Sequence, residues 1–327
     1  MQEHQKGALV ISLDFEMHWG VRDHWTVQDY EENLRGERLV IPSLLEVFCA
    51  YDIHATWATV GFLFFDTKQA LLALLPEVKP TYARAALSPY PFLAEVGEDE
   101  AHAPYHFAAS LIKRIQETPH QEIGSHTFSH YFCLEQGQTI EAFRADLVAA
   151  VAVARQQGIV FKSFVFPRNQ FQPAYLEVCR EMGIRAYRGN ERSWVYRAKN
   201  EDKQSWIQRG VRLLDAYLPL TGHHTYRLDQ IAKTVPCDLP SSRFLRPYTP
   251  ALRSLEWLRL RRILSDMTYA AQHGEIYHLW WHPHNFGANA EENKKILITI
   301  LNHFTALQRR YGMQSFTMAE LAERVLG

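Results

Sequence analysis

The sequence predicts an α/β fold built on a parallel sheet. Short apolar runs alternate along the chain with stretches in which apolar residues recur at helical spacing. The first run, residues 8–14, is almost continuously apolar, which is typical of a parallel strand that is covered on its outer face. The chain has 327 residues, of which 47% are apolar and 22% charged, so it can form a large core. We therefore expect one α/β unit whose sheet is either open or closed into a barrel.

The elements follow from local patterns. Thr139 can cap a helix that runs to Gln157, because its apolar residues form one stripe and Gly158 can end it. Pro167 closes the strand before it, and Gly183 follows another helix. The remaining predictions are strands at 52–60, 122–125, 162–166, 184–187, 275–281 and 314–316, and helices at about 38–51, 173–182, 251–273, 291–311 and from 318 onward.

Two long stretches interrupt this alternation, near residues 64–120 and 189–250. The first contains several prolines, and the second is rich in Arg, Tyr, Pro and His. Neither stretch is a repeat or a low-complexity linker. We therefore expect a single domain over residues 1–327 in which both stretches are insertions that wall a site.

Composition excludes some classes of function. The formal net charge is −1, which gives no reason to expect binding to nucleic acid. No apolar run approaches the ~20 residues that a membrane span needs. The polar N-terminus lacks a signal-peptide pattern, and the four cysteines form no C-x-x-C pair, so we expect reduced thiols and a cytoplasmic location. The oligomeric state is not predicted.

Two acids stand at the end of the first strand. Asp14 and Glu16 are two residues apart, so their side chains point to the same side of the sheet. The carboxyl ends of parallel strands are where α/β folds place their active sites. Two carboxylates this close ionise together most easily when a cation lies between them.

Histidines form two further groups. His126 and His130 are four apart, so on a helical turn both would lie on one face and bind one metal ion. A second group near the C-terminus comprises His278, His282 and His284. Each pattern alone is common in proteins, but imidazoles together with paired acids are the parts of a metal-assisted hydrolase.

These motifs, in this order, resemble the polysaccharide deacetylases (carbohydrate esterase family four). The matching segments are Ser12-Leu-Asp14-Phe-Glu16, Ala55-Thr-Trp-Ala-Thr-Val-Gly61, Glu122-Ile-Gly-Ser-His-Thr-Phe-Ser-His130 and His278-Leu-Trp-Trp-His282. The third is the most specific. The resemblance implies a distorted (β/α) barrel of about seven parallel strands, which carries the two insertions, and a divalent metal, usually zinc.

The resemblance also implies roles for individual residues. His126 and His130 match the family's metal-binding histidines, and Asp14 matches its catalytic base. The family's metal-binding aspartate directly follows the base, where this chain has Phe15, so we expect Glu16 to be the third ligand because it shares a face with Asp14. His282 matches the general acid.

Further matches concern the residues around the base and the substrate. Arg168 is the candidate for the arginine that orients the base, although Pro167-Arg168 reverses the family's order. Asn169 or Gln170 would supply an oxyanion donor. Trp281 and His284 would contact the substrate, and His284 competes with His282 for the role of acid.

The expected function is hydrolysis of an N-acetyl group on an amino sugar or a surface-polysaccharide precursor. The partner would be an N-acetylated sugar or glycan precursor. Two alternatives remain open: a C–N hydrolase that acts on a small non-sugar amide, and an inactive barrel that only binds carbohydrate.

Overall fold

The computed structural model describes residues 5–196 and 206–327. The strands are β1 (Ala8–Phe15), β2 (Ala55–Thr59), β3 (Gln121–Ser125), β4 (Ser163–Phe164), β5 (Ala186–Gly189), β6 (Cys237–Pro240), β7 (Arg243–Phe244), β8 (Ile276–Trp281) and β9 (Gln314–Phe316). The α-helices are α1 (Glu31–Ala50), α2 (Lys68–Ala73), α3 (Ala109–Glu117), α4 (Ile140–Gln156), α5 (Pro173–Glu181), α6 (Trp206–Asp215), α7 (Glu256–His273), α8 (Pro283–Gly287), α9 (Ala290–Tyr311) and α10 (Met318–Leu326).

All sheet pairings between these strands are parallel. The hydrogen-bonded order is β6-β5-β4-β3-β2-β1-β8-β7, and β9 lies beside the start of β1. Every residue of β1 is buried, as the continuous apolar run predicts. The distorted (β/α) barrel of about seven strands is therefore confirmed.

The barrel closes through one short segment, residues 237–244. β6 pairs with β5, and β7 pairs with β8 on the other side. Between them, Ser241 N–H donates to the Gly189 carbonyl and Ser242 N–H to the His278 carbonyl. This segment lies within the stretch 189–250 that the sequence suggested was an insertion. That prediction was wrong for residues 237–244, because strands of four and two residues are too short to show a periodicity.

Most other elements lie where the patterns place them. Thr139 caps α4 by accepting from Ala142 N–H, and Gly274 and Gly312 end α7 and α9 in the left-handed region. Helix α1 begins at Glu31, earlier than predicted, and continues through Pro42. Residues 66–108 contain α2 and short 3-10 turns. The single domain, with insertions outside residues 237–244, stays a prediction.

Within residues 5–196 and 206–327, no helix is long and apolar enough to cross a membrane. The four cysteines are free thiols, and Cys133, Cys179 and Cys237 are buried. The cytoplasmic location stays a prediction.

Candidate functional site

The polar side chains predicted to form a site converge at the carboxyl ends of the strands. Asp14 is the next-to-last residue of β1, and Glu16 follows that strand directly. His126 follows β3, and His282 follows β8. Because all these strands run in one direction, their carboxyl ends meet at the same edge of the barrel. Residues separated by up to 268 positions are thereby brought within hydrogen-bond distance.

Glu16 lies at the centre of this cluster, between two pairs of histidines. Its Oε2 lies 3.2 Å from His126 Nε2 and 3.0 Å from His130 Nε2. Its Oε1 lies 3.1 Å from His284 Nε2 and 3.6 Å from His282 Nε2. Burial opposes the charged form of Glu16, but the surrounding imidazoles outweigh it, so the pKa of Glu16 lies well below its ordinary value.

Asp14 is fixed by an arginine that the sequence did not single out. Arg188, in β5, donates to both carboxylate oxygens of Asp14, with distances of 2.6 and 2.7 Å. The same guanidinium donates to Ser12 Oγ and to Asn169 Oδ1, each at 3.1 Å. Burial disfavours the Asp14 carboxylate, yet Arg188 outweighs that cost and lowers the pKa of Asp14 below 3.8. Asp14 is therefore held ionised in one orientation.

The two histidines of the central motif lie on a loop rather than on the expected helical turn. Thr127 and His130 have left-handed φ angles of 65° and 59°. Asp146 of α4 holds this loop by accepting from Phe128 N–H at 2.7 Å, from Ser129 N–H at 3.1 Å and from the Ser129 hydroxyl. These bonds replace the helical pattern and stabilise a strained conformation.

The donor set fits a divalent cation. His126 Nδ1 donates to the Val165 carbonyl at 2.8 Å, so a neutral ring has no hydrogen on the Nε2 that faces Glu16. With its hydrogen on Nδ1, the ring has Nε2 available for a cation that Glu16 Oε2, 3.2 Å away, would also hold. Ligand atoms around a tetrahedral zinc ion are separated by about 3.3 Å, given bonds of about 2.0 Å. The spacings of Glu16 to His126 and His130 are close to that value.

His282 and His284 both face Glu16, but their surroundings differ. The His282 side chain is 23% exposed, whereas that of His284 is 4% exposed. His282 Nε2 also lies 3.6 Å from Asp14 Oδ2. Burial lowers the pKa of His282 to about 4 against the opposing effect of Glu16 and Asp14. The ring is therefore neutral at neutral pH, in contrast to the protonated acid that the resemblance implied.

The structure corrects the expectations for Arg168 and Trp281. Arg168 pairs with Asp23 at 2.5 Å and lies 4.3 Å over the Phe132 ring, and the guanidinium against Asp14 is that of Arg188. Trp281 is fully buried and packs on Phe286 and Phe48, so it cannot contact a substrate. A strand alternates its side chains between faces, and it is Trp280 that points to the site.

Trp280 and Asn169 lie around Arg188. The Trp280 ring is 4.1 Å from the Arg188 guanidinium carbon and 5.5 Å from the His282 ring. Asn169, with a left-handed φ of 52°, accepts from Arg188 and so acts on the arginine. The Gln170 side chain donates to Glu135 instead. His278 lies beneath, with Nε2 2.9 Å from Ser12 Oγ.

Sequence reasoning missed Arg188, although a signal was present. Its strand was predicted at residues 184–187, and an arginine at the end of a buried strand is the same kind of pattern as Asp14 at the end of the apolar run 8–14. Tyr30 and Asn285 were also missed. Tyr30 bonds to His284 and to Asn285, residues 254 and 255 positions further along the chain, which no local pattern indicates.

Comparisons with known proteins support the fold. No protein-family model and no curated protein sequence matches this chain. Solved structures do match. A Mycobacterium smegmatis protein assigned as a polysaccharide deacetylase is 13% identical, with a TM-score of 0.61 over 99% of this chain and 92% of that one.

Two glycan-processing enzymes share the architecture. The 4-α-glucanotransferase of Thermococcus litoralis is 13% identical with a TM-score of 0.56 over 98% of this chain and 40% of that one. The branching enzyme of Pyrococcus horikoshii is 12% identical with a TM-score of 0.54 over 98% and 71%. Such low identities show a shared fold and leave function to the site. The chain thus resembles the polysaccharide deacetylases in its motifs and has the distorted barrel fold of the deacetylase structure it matches.

Proposed function

We propose that this protein is a metal-dependent hydrolase that removes the acetyl group from an N-acetylated amino sugar or a precursor of a surface polysaccharide. The observation that carries the proposal is that a candidate base and a set of candidate metal ligands lie side by side at the end of β1. Asp14, held by Arg188, lies next to Glu16 with its histidines. A base fixed beside a set of metal ligands is the arrangement with which metal-dependent hydrolases cleave unactivated amides.

Glu16, His126 and His130 would hold the cation. Two imidazoles and one carboxylate are the protein ligands of many catalytic zinc sites, so zinc is the proposed metal. When bound, such a cation lowers the pKa of water to about 7 and polarises a carbonyl group.

Asp14 would accept the proton of the attacking water. The two hydrogen bonds from Arg188 keep its carboxylate ionised and aimed at the cavity. They also make it a weak base, which suffices when the water is already acidified. Arg188 is thus the proposed orienting residue, in place of Arg168.

His282 would donate to the departing amine. It is the candidate that combines exposure with a short distance to Asp14, 3.6 Å from Oδ2 to Nε2. Because the ring is neutral, we propose that it first gains the proton that Asp14 took from water and then, as imidazolium, passes a hydrogen to the amine. One proton thus leaves water and one reaches the amine, and both side chains return to their starting state.

Sugar transfer is the other chemistry found on this fold, and the site does not favour it. Glycosidases need one carboxylic acid that is protonated and free to reach the glycosidic oxygen. Here both oxygens of Asp14 accept from Arg188, and both oxygens of Glu16 face histidines. The pKa of each acid is lowered rather than raised.

The test is metal analysis of the purified protein followed by acetate release from a panel of substrates. The panel contains N-acetylated monosaccharides, sugar nucleotides, oligosaccharides and small non-sugar amides. We expect stoichiometric metal, activity on N-acetyl sugars, and loss of activity with a chelator that is reversed by added zinc. Turnover of small amides alone would favour the C–N hydrolase alternative. Sugar binding without metal and without turnover would favour an inactive barrel.

A further inference from the structure

His282 and His284 lie two residues apart and both approach Glu16 Oε1. One network of hydrogen bonds reaches the Nδ1 atom of each ring, but through a different partner. Asn285 Nδ2 lies 3.2 Å from His282 Nδ1. Tyr30 donates its hydroxyl hydrogen to Asn285 Oδ1 at 3.2 Å, and the same hydroxyl oxygen lies 2.9 Å from His284 Nδ1. The side chains of Tyr30 and Asn285 therefore connect the two imidazoles.

The direction of each bond follows from its donors. With the Asn285 amide nitrogen against His282, we assign this bond as donation from Nδ2 to His282 Nδ1, which then carries no hydrogen. We assign the Tyr30 hydrogen to Asn285 Oδ1, so the hydroxyl oxygen accepts from His284 Nδ1. A neutral imidazole has one hydrogen. His282 consequently has it on Nε2, whereas His284 has it on Nδ1.

The two histidines thus present opposite chemistry to the site. His282 offers an N–H, which suits a proton donor. His284 offers an unprotonated Nε2, 3.1 Å from Glu16 Oε1. This is the same state as His126, whose Nδ1 donates to Val165 and whose Nε2 faces Glu16 Oε2. Two acceptors facing each other in a buried place indicate a cation partner here as well.

We propose that His284 is a further metal ligand, and that Tyr30 and Asn285 are positioning residues that assign His284 to the metal and His282 to proton transfer. The inference rests on the proposed function, because it assumes the cation at Glu16. Glu16 presents Oε2 to His126 and His130 and Oε1 to His284, and the ligand atoms of Glu16, His282 and His284 also lie within 4.8 Å of one another, so His284 would help to hold a cation bound at Glu16. A chain with a shorter acid at this position would not reach both.

The fold holds His284 rigidly enough for this role. Asn33 Nδ2 donates to the His284 carbonyl at 3.0 Å. Helix α8 packs against α1 so closely that a Cβ atom on Gly36 would lie 2.3 Å from the Gly287 carbonyl oxygen. A ligand that is fixed by its own backbone loses little freedom on binding a metal.

The first experiment measures zinc affinity by competition with a chelator. We expect His284→Gln to raise the Kd for zinc by at least about 100-fold. Tyr30→Phe should raise it by roughly 10-fold, because loss of a hydrogen-bond partner of a metal-bound histidine weakens metal affinity by about 10- to 100-fold. Tyr51→Phe is the matched control, since Tyr51 donates to Asn302 at the surface, far from the site. Unchanged affinity in His284→Gln would overturn the proposal.

The second experiment reads the hydrogen positions by ¹⁵N NMR of the histidine rings in the metal-free protein. We expect His282 with a protonated Nε2 and His284 with a protonated Nδ1. In Asn285→Asp, the carboxylate still accepts from Tyr30 but cannot donate to His282. The hydrogen of His282 should therefore move to Nδ1 while His284 stays unchanged. The same tautomer for both rings in the unmodified protein would overturn the proposal.

The two failures can be told apart. If the unmodified protein binds no zinc, the proposed function itself fails. If it binds zinc with the affinity of His284→Gln, then only the role of His284 fails.

Discussion

The two ends of the barrel carry similar donors in very different surroundings. At the carboxyl ends of the strands are Glu16, His126 and His130, with ligand atoms all within 4.8 Å of one another. At the amino ends, Asp52, His54 and His120 satisfy the same distance. We call these the site cluster and the amino-end cluster. By donor type and spacing alone, both would be metal sites.

Burial separates them. The Glu16 side chain is 5% exposed, whereas that of Asp52 is 73% exposed. In the amino-end cluster, His54 Nδ1 already bonds to Glu320 at 2.8 Å, and the rings of His54 and His120 stack 4.1 Å apart. Exposed polar atoms remain hydrated, so they need no other partner. Buried polar atoms cannot bond to solvent, and a bound cation would satisfy them. The comparison teaches that burial and outer hydrogen bonds distinguish a metal site from a surface cluster.

The largest effect should come from Asp14→Asn. Loss of the base is expected to reduce turnover by roughly 10²- to 10⁴-fold while the metal stays bound, since Glu16 and the histidines are intact. Acetate release and metal content are the measurements. Asp52→Asn in the amino-end cluster is the control and should keep full activity. Undiminished turnover in Asp14→Asn would show that Asp14 is not the base.

Arg188→Lys tests the orienting arginine. Lysine keeps the charge but cannot form two parallel bonds to Asp14, so we expect kcat to fall by roughly 10²-fold. Arg168→Lys, at the position first predicted for this role, should change kcat by less than about 5-fold because Arg168 pairs with Asp23. Equal effects of the two substitutions on steady-state kcat would contradict the assignment.

Asp146→Asn should weaken the loop that carries His126 and His130. An amide cannot accept all the hydrogen bonds that the loop donates, and one unsatisfied buried donor costs about 1–3 kcal/mol of unfolding free energy. We expect zinc affinity to fall by roughly 10-fold as well. Urea denaturation and chelator competition measure both. Asp99→Asn is the control, since Asp99 accepts from His102 N–H on an exposed loop. A stable Asp146→Asn protein with full affinity would be evidence against this support.

The smallest effect is expected in the amino-end cluster. The hydrogen bond from His54 to Glu320 raises the pKa of His54 above 6.5. A raised histidine pKa means that the pair stabilises the fold below pH 6.5 and that this stabilisation is lost as the pH rises through the raised pKa. His54→Gln should cost less than about 1 kcal/mol at pH 6, and almost nothing at pH 9. Urea denaturation at both pH values measures this, and zinc affinity should not change. A loss of zinc would mean that the amino-end cluster also binds metal.

Much of the site was predictable because strand ends are local features. The apolar run 8–14 ends at Asp14, and the direction of parallel strands then places Asp14, Glu16, His126 and His282 at one edge. The closing segment 237–244 was not predictable, since six paired residues show no period. The choice between Trp280 and Trp281 depended on the register of β8, and a shift of one residue exchanges the two faces of a strand.

The sequence by itself determined most strands and helices outside the stretches 64–120 and 189–250, the two acids at the end of β1 and the histidine motif, because each depends on neighbours within a few residues. Only the tertiary structure decided that Arg188 rather than Arg168 reaches Asp14, and that Tyr30 and Asn285 connect His284 to His282. The physical reason is that a hydrogen bond requires its atoms within about 3 Å, and contacts between distant segments at that scale are set by packing, which local patterns do not encode.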